Sequence, residues 1–342
     1  MNAANLPVLT ADAPVRINLQ EIESAQHRIA DMIRPTPVEP SPSLSERTGV
    51  PVRLKLEHHQ RSGSFKFRGA SNAVTRLTAA QRAAGVVGVS TGNHGRGLAR
   101  ACANAGVRCV IVMSTLVPRN KVEAIRGEGA EVVISGRSQD EAQHRVDALV
   151  AEGMTMIPPF DHPDIITGQG TLGIEIAEAM PEVETVLIQI SGGGLISGVA
   201  AALKARRPGV RVIGVSMERG AAMHASLTAG RPVEVTELAT LADSLGGGIG
   251  QDNRYTFAMV RDLVDEVVLV TEVEIARAIR HCYWAERQIV EGSGAVGVGA
   301  ILADKVTLCG PTMVLLSGGN IDMALHHRII SGEDVDLTQE NS

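Results

Sequence analysis

The chain has 342 residues, 44% of them hydrophobic and 20% charged, enough for one large core or two smaller cores in one body. Its 32 Lys and Arg and 38 Asp and Glu are interspersed and leave a formal net charge of −6, which excludes the clustered basic footprint of a nucleic-acid binder. With 4 Phe, 2 Tyr and 1 Trp there are few platforms for stacking bases, and the core falls to Val, Ile, Leu, Ala and Met.

Residues 1–16 contain Pro7 and Pro14, lack apolar periodicity and read as a loosely held tail. That end has no basic stretch followed by an apolar run, and Cys102, Cys109, Cys282 and Cys309 show no Cys-x-x-Cys pairing. A reducing, cytoplasmic setting is expected. No uninterrupted apolar stretch approaches the roughly 20 residues that span a bilayer, so a soluble protein is expected.

Gly63-Ser64-Phe65-Lys66-Phe67-Arg68-Gly69-Ala70 places a lysine between two aromatic side chains, where the ammonium is partly desolvated and its pKa lowered. Such a lysine can act as a nucleophilic amine. A solvated lysine, or a cation–π contact with Phe65 or Phe67, is the plainer alternative. Farther on, strand-like runs at Val86–Ser90, Arg108–Met113 and Glu131–Ile134 alternate with helical spacing at Gly97–Ala105, Asn120–Arg126 and Gln139–Ala151. Gly106, Gly129 and Gly153 stand as helix stops. Further strand-like runs follow at Val186–Ile190, Val212–Val215, Glu266–Val270 and Met313–Leu316. The alternation predicts an α/β fold with a mostly parallel sheet and crossover helices. With no repeat and no Pro/Ser-rich linker, a second domain would be inserted rather than strung on.

Glycine-bearing turns punctuate this order at 91–95, 168–173, 191–195, 246–248 and 317–320. Gly168 to Gly173 matches a dinucleotide fingerprint, but Phe160-Asp161-His162-Pro163-Asp164 precedes it instead of a buried strand. It reads as a helix-start turn, and an NAD oxidoreductase rests on it alone. Ser191-Gly192-Gly193-Gly194-Leu195 follows a strand-like run and opens an apolar helical segment, Leu195 to Ala205. That context suits a phosphate cradle, in which successive amides and the helix N-terminus converge on an anion. A tight turn without a ligand has the same pattern, and the motif by itself leaves both open.

Taken in order, Ser-Phe-Lys-x-Arg-Gly-Ala, Gly-Asn-His-Gly, Ser-Gly-Gly-Gly-Leu and the late Ser-Gly-Gly-Asn resemble the fold-type-II pyridoxal-phosphate family of threonine and serine dehydratases and serine racemase. The resemblance runs from about Ile29 to about Ile330. It implies a tryptophan synthase β-like architecture of two α/β domains with mostly parallel sheets. Residues 1–77 and 162–342 would form the large domain, and 78–161 an inserted small domain whose movement closes the site. By the same resemblance, Lys66 carries pyridoxal 5'-phosphate as a Schiff base and Phe65 lies against its ring. Asn93 contacts the 3-hydroxyl, the amides of Gly192, Gly193, Gly194 and Leu195 bind the phosphate, and Ser317 takes the pyridine nitrogen. Ser90, Thr91, Asn93 and His94 take the substrate carboxylate, and Thr91 is the expected second acid/base on the face opposite Lys66.

Departures from the family pattern carry expectations too. Serine racemase-like members hold a divalent cation with an acid that matches Glu218 and a second acid whose place here is His224, so no metal is expected. The usual Glu-Pro-Ser-Gly-Ala segment reads Glu291-Gly292-Ser293-Gly294-Ala295, which keeps the acid and loses the proline. The chain ends too soon after Ser317 for the effector domain of regulated threonine dehydratases, so simple kinetics are expected. A homodimer or higher homo-oligomer is expected as well.

The segments 117–121, 214–224 and 241–250 resemble the hydroxyectoine-utilisation dehydratase branch, which implies a 3-hydroxy-2,4-diaminobutyrate-like substrate. A second substrate amine calls for a pocket acid, and Glu218, Asp243 and Asp252 are the candidates, each of them otherwise an ordinary surface or capping carboxylate. The alternatives are an L-threonine or L-serine dehydratase and a cofactor-binding protein without turnover.

Overall fold

The computed structural model describes residues 17–90, 92–115, 117, 119–137, 139–335 and 337. The tail 1–16 lies outside them. In chain order the strands are β1 (Val38–Pro40), β2 (Val52–Leu56), β3 (Val86–Val89), β4 (Cys109–Met113) and β5 (Glu131–Ile134). They continue with β6 (Thr155–Met156), β7 (Thr185–Gln189), β8 (Arg211–Met217), β9 (Glu266–Val270) and β10 (Thr312–Leu316). Two sheets result, with strand orders β1-β2-β10-β7-β8-β9 and β5-β4-β3-β6. Among the strand pairs of the described residues, the edge pair of β1 and β2 alone is antiparallel. The strands of the larger sheet come from both sides of the segment 86–156, which supplies every strand of the smaller.

The parallel strands read as apolar runs because both their faces are covered. Every residue of β4, β7 and β10 is buried. β1, β2 and β6 escape a sequence pattern. β1 ends on a proline and β6 has 2 residues, too short for any periodicity. β2 alternates Val52, Leu54 and Leu56 with Arg53 and Lys55, yet Lys55 is only 2% exposed. Its ammonium can be buried because it meets Glu175 at 2.6 Å and the Thr36 carbonyl at 2.8 Å.

Gly168 to Gly173 is not a helix-start turn. It lies inside the helix Pro163–Ala179, and packing gives the reason. A Cβ on Gly168 would stand 2.6 Å from the Gly69 Cα, and one on Gly173 would stand 2.6 Å from the Val199 carbonyl oxygen. The glycines let this helix touch, backbone to backbone, both the helix Lys66–Thr75 and the helix Gly194–Arg206. The lysine loop and the glycine turn of 191–194 are thereby mounted on one support, and the dinucleotide alternative loses its strand–turn–helix context.

Gly173→Ala is expected to lower stability by about 1–3 kcal/mol through overpacking at this crossing. The midpoint of urea unfolding measures it, and a midpoint equal to wild type would mean that the crossing has room for a methyl group.

Candidate active site

Lys66 opens the helix Lys66–Thr75, just after Ser64 pairs with Gly318 in an isolated antiparallel bridge. The Phe65 amide donates to the Ser317 carbonyl at 3.0 Å and the Gly319 amide to the Gly63 carbonyl at 2.9 Å, so the lysine loop is tied to the turn after β10. Lys66 Nζ donates to the Pro159 carbonyl at 2.8 Å and stands 5.2 Å from the centroid of the Phe65 ring. Burial pushes this amine down to about 8. Phe67 is not the second wall that the sequence suggested. The helix turns it into the core beside Ile29, Leu98 and Ile111, so the desolvation comes from burial with Phe65 on one side only.

Ser191 to Gly193 leave β7, and Gly193 caps the helix Gly194–Arg206 in the left-handed region at φ 87°. Among the described residues the amides of Gly192 and Gly193 have no acceptor. Those of Gly194 and Leu195 belong to the first helical turn and lack intrahelical acceptors. These amides, at a helix N-terminus, remain for an anion. A Cβ on Gly193 would stand 2.9 Å from both Met223 Cε and Thr256 Cβ, so the turn admits only glycine there.

The turn, Phe65, Lys66, Asn93, Gln189 and Ser317 wall an inner cavity. Gln189 Oε1 and Ser293 Oγ also belong to it, and both are buried without a partner among the described residues. The Ser317 hydroxyl, on a residue 3% exposed, likewise has none among them. Lys66 and Asn93 also line an outer cleft of about 670 Å³, with Ser90 and His94. The two spaces open at the carboxyl ends of β3, β7 and β10, where α/β sheets bind ligands.

Asn93 is held on every side. Its Nδ2 donates to Glu291 Oε1 at 2.6 Å and to Ser244 Oγ at 3.3 Å, and its Oδ1 accepts from Asn320 Nδ2 at 2.7 Å. Burial, reinforced by Asp243, pushes the Glu291 carboxyl up to about 7. His94 is pushed down to about 3 by burial and by Lys66, so its imidazole is neutral and donates Nε2–H to the Ile157 carbonyl at 3.0 Å. Ser90 Oγ accepts from the amides of Gly92 at 3.3 Å and Gly95 at 3.1 Å, which shapes the loop at the start of the helix Asn93–Ala105. Thr91 lies outside the described residues.

Of the acids expected to meet a second amine, Asp243 lines the cleft, ion-paired with Lys121 at 3.0 Å. Glu218 and Asp252 do not line it, and Glu218 meets Lys305 at 3.5 Å instead. Glu234 and Glu237 do line it, and no local motif marks them. Gln189 was detectable as the one polar residue within the run Val186 to Ile190. Asn320 and Ser293 lay in quoted motifs, but the partners of Asn320, Asn93 and Ser62, are distant in sequence. His224 borders a separate surface cleft with Leu227 and Val260. Among the described residues no group of three or more His, Cys, Asp or Glu could hold a metal, and no helix is long and apolar enough to cross a membrane.

A family model described as "Pyridoxal-phosphate dependent enzyme" matches residues 29–319. The chain is 58% identical over 318 residues to the "Putative threonine dehydratase" of Sinorhizobium fredii, which covers 92% of this chain and 96% of that protein. The L-threonine ammonia-lyase of Thermotoga maritima is 41% identical over 317 residues, 92% of this chain and 78% of its own length. The structure of maize serine racemase superposes with a TM-score of 0.87 at 34% identity, over 92% of this chain and 97% of that one. The donor set fits the family's cofactor: a buried amine near neutrality for an aldehyde, free amides for a phosphate, and unpartnered buried hydroxyl and amide oxygens for a polar ring. The chain belongs to the fold-type-II pyridoxal-phosphate-dependent enzymes, in the group that holds the threonine dehydratases and serine racemases.

Proposed function

We propose that this lyase removes the β-hydroxyl of a 3-hydroxy amino acid that carries a second amine, a 3-hydroxy-2,4-diaminobutyrate-like compound of hydroxyectoine degradation. The observation that carries the substrate is the acid lining of the outer cleft. Glu234, Glu237 and Asp243 border the same space as Lys66, where a side-chain ammonium would find opposite charge. The names of the relatives favour a second reading, L-threonine or L-serine as substrate.

Lys66, Asn93, Ser317 and the amides of Gly192 to Leu195 would hold pyridoxal phosphate, with Phe65 against its ring. The cofactor supplies an electron sink that makes the substrate's α C–H bond acidic. Lys66 Nζ, neutral at the upper end of the physiological range, takes that α-proton. Ser317 offers the ring nitrogen a neutral hydroxyl, which cannot keep that nitrogen protonated as a carboxylate would, and elimination is favoured over transamination. The neutral His94, with Ser90 and Asn93, would receive the substrate carboxylate without adding a charge of its own. Loss of water leaves an enamine that tautomerises and is hydrolysed to a 2-oxo acid and ammonia. The inserted segment 78–161 would be the part that moves to exclude water.

Lys66→Ala is expected to abolish turnover and the yellow absorption of the reconstituted protein while the fold persists; a yellow, borohydride-reducible variant would refute the assignment. In the wild-type apoprotein, capture of pyridoxal phosphate should quicken as pH rises to about 8, where Nζ loses its proton, and level off above it. A rate still climbing near pH ~10 would indicate an ordinary lysine.

Gly193→Asp is expected to weaken cofactor binding, because its Cβ would crowd Met223 and Thr256 and displace the left-handed turn that presents the amides. Titration of the apoprotein checks this, and unchanged affinity would place the phosphate elsewhere.

A panel of 3-hydroxy amino acids scored for ammonia and 2-oxo acid tests the substrate. The expected order puts 3-hydroxy-2,4-diaminobutyrate first in kcat/KM, with that advantage reduced about two- to fivefold in Glu237→Gln by loss of one exposed charge pair. Preference for L-threonine in the wild type would establish the second reading.

A further inference from the structure

Glu291 stands at the N-cap of the helix Gly292–Leu302 and faces the inner cavity. Both its carboxylate oxygens are engaged. Oε1 accepts from Asn93 Nδ2 at 2.6 Å, and Oε2 accepts from the backbone amide of Asn320 at 3.1 Å. Asn320 completes the ring through its side chain, donating from Nδ2 to Asn93 Oδ1 at 2.7 Å and to the Ser62 carbonyl at 2.9 Å. Its Oδ1 accepts from Arg96 Nη1 at 2.9 Å.

We propose that Glu291 is a positioning residue that fixes the amide of Asn93 so that its NH₂, and not its oxygen, serves the cofactor cavity. The inference rests on the reading above, in which Asn93 contacts the cofactor's 3-oxygen. Two groups that cannot be flipped set the direction of the ring. The Asn320 backbone N–H can only donate, so the atom facing it must accept, and the Ser62 carbonyl can only accept, so Asn320 must point its NH₂ there. Asn320 then offers a donor to Asn93, which answers with Oδ1 and turns its own NH₂ to Glu291; the second N–H, which reaches Ser244 Oγ at 3.3 Å on the wall of the same cavity, is the one the cofactor's oxygen would take over. A carboxylate alone meets both demands on Glu291, because both of its oxygens accept. Glutamine in that place has one acceptor and one donor. Whichever way it is turned, its NH₂ meets either the Asn320 amide or the Asn93 NH₂, and a buried donor is left unpaired.

The test is a cycle of pyridoxal-phosphate titrations on apoprotein, read by visible absorption, for wild type, Glu291→Gln, Asn93→Ala and the double variant. Glu291→Gln is expected to weaken binding about tenfold, the cost of one unpaired buried group, and Asn93→Ala by a similar factor. The double variant should bind no more weakly than Asn93→Ala alone, because Glu291 acts only through Asn93. Losses that multiply in the double variant would overturn the proposal, since Glu291 would then act on the cofactor or the fold independently. If Asn93→Ala weakens binding and Glu291→Gln does not, the proposal falls while the cofactor contact stands. If neither weakens it, the contact itself falls. Glu291→Asp, with two acceptors on a shorter arm, is run in the same cycle and carries the test should the glutamine variant not fold. It should lose less affinity than Glu291→Gln, and a loss that persists undiminished beside Asn93→Ala would overturn the proposal.

Discussion

A guanidinium with no exposed surface fixes where the lysine helix begins. Arg68 lies two positions beyond Lys66, and its fork meets Glu57 on one side and Glu175 on the other, with Nη1 and Nη2 at 2.6 and 3.0 Å from the Glu175 oxygens. Lys55 adds a second cation on Glu175, so two positive and two negative groups share the interior and balance formally. Such a cluster is weak evidence for stability, because desolvation offsets most of the attraction. It is strong on geometry. Each carboxylate comes from a different element, the 3-10 turn Glu57–His59 that follows β2 and the helix Pro163–Ala179, and neither can shift without leaving a buried charge unpaired. The first turn of the helix Lys66–Thr75 therefore has one seat.

The same helix, Pro163–Ala179, then carries this constraint to the anion-binding turn. Its glycines bring it against the helix Gly194–Arg206 at backbone distance, so the amine of Lys66 and the amides of Gly192 to Leu195 are set relative to each other through two close crossings and no loop. A glycine run that resembles a nucleotide fingerprint thus aligns the site from behind. Small residues do here what larger side chains cannot, since any Cβ at Gly168 or Gly173 would push the supporting helices apart.

How much of this was legible depended on whether a residue's role is local. β5 and β9 lie where apolar runs place them, and Gly106 and Gly153 take the left-handed conformation that a helix stop demands, at φ 63° and 107°. The lysine loop and the Ser191–Leu195 turn could be read because loop, strand end and helix start are contiguous. Long-range pairing was not visible. Nothing near Lys55 predicts that Glu175 will allow its burial, so no uninterrupted apolar run marks β2. Asn93, Glu291 and Asn320 meet across 227 positions of sequence, and the acids Glu234 and Glu237 reach the cleft only through the path of the chain after β8.

Burial moves three ionisable side chains of the cavity in the same sense, toward their neutral forms. Lys66 falls to about 8, His94 to about 3, and Glu291 rises to about 7. Near pH 7 the His94 imidazole is neutral, while the Lys66 amine and the Glu291 carboxyl can each change charge within the physiological range. Fixed dipoles, namely the amides of Gly192 to Leu195 and the NH₂ of Asn93, act beside them where little water screens them. Permanent charge lies at the rim, where Lys121 and Asp243 pair and Glu234 and Glu237 lie exposed. The division separates two tasks. The interior can bind an anionic cofactor through the amides and the Lys66 amine, with the Glu291 carboxylate held on Asn93 and the Asn320 amide, while the charged rim can select among substrates without disturbing the ionisation of Lys66.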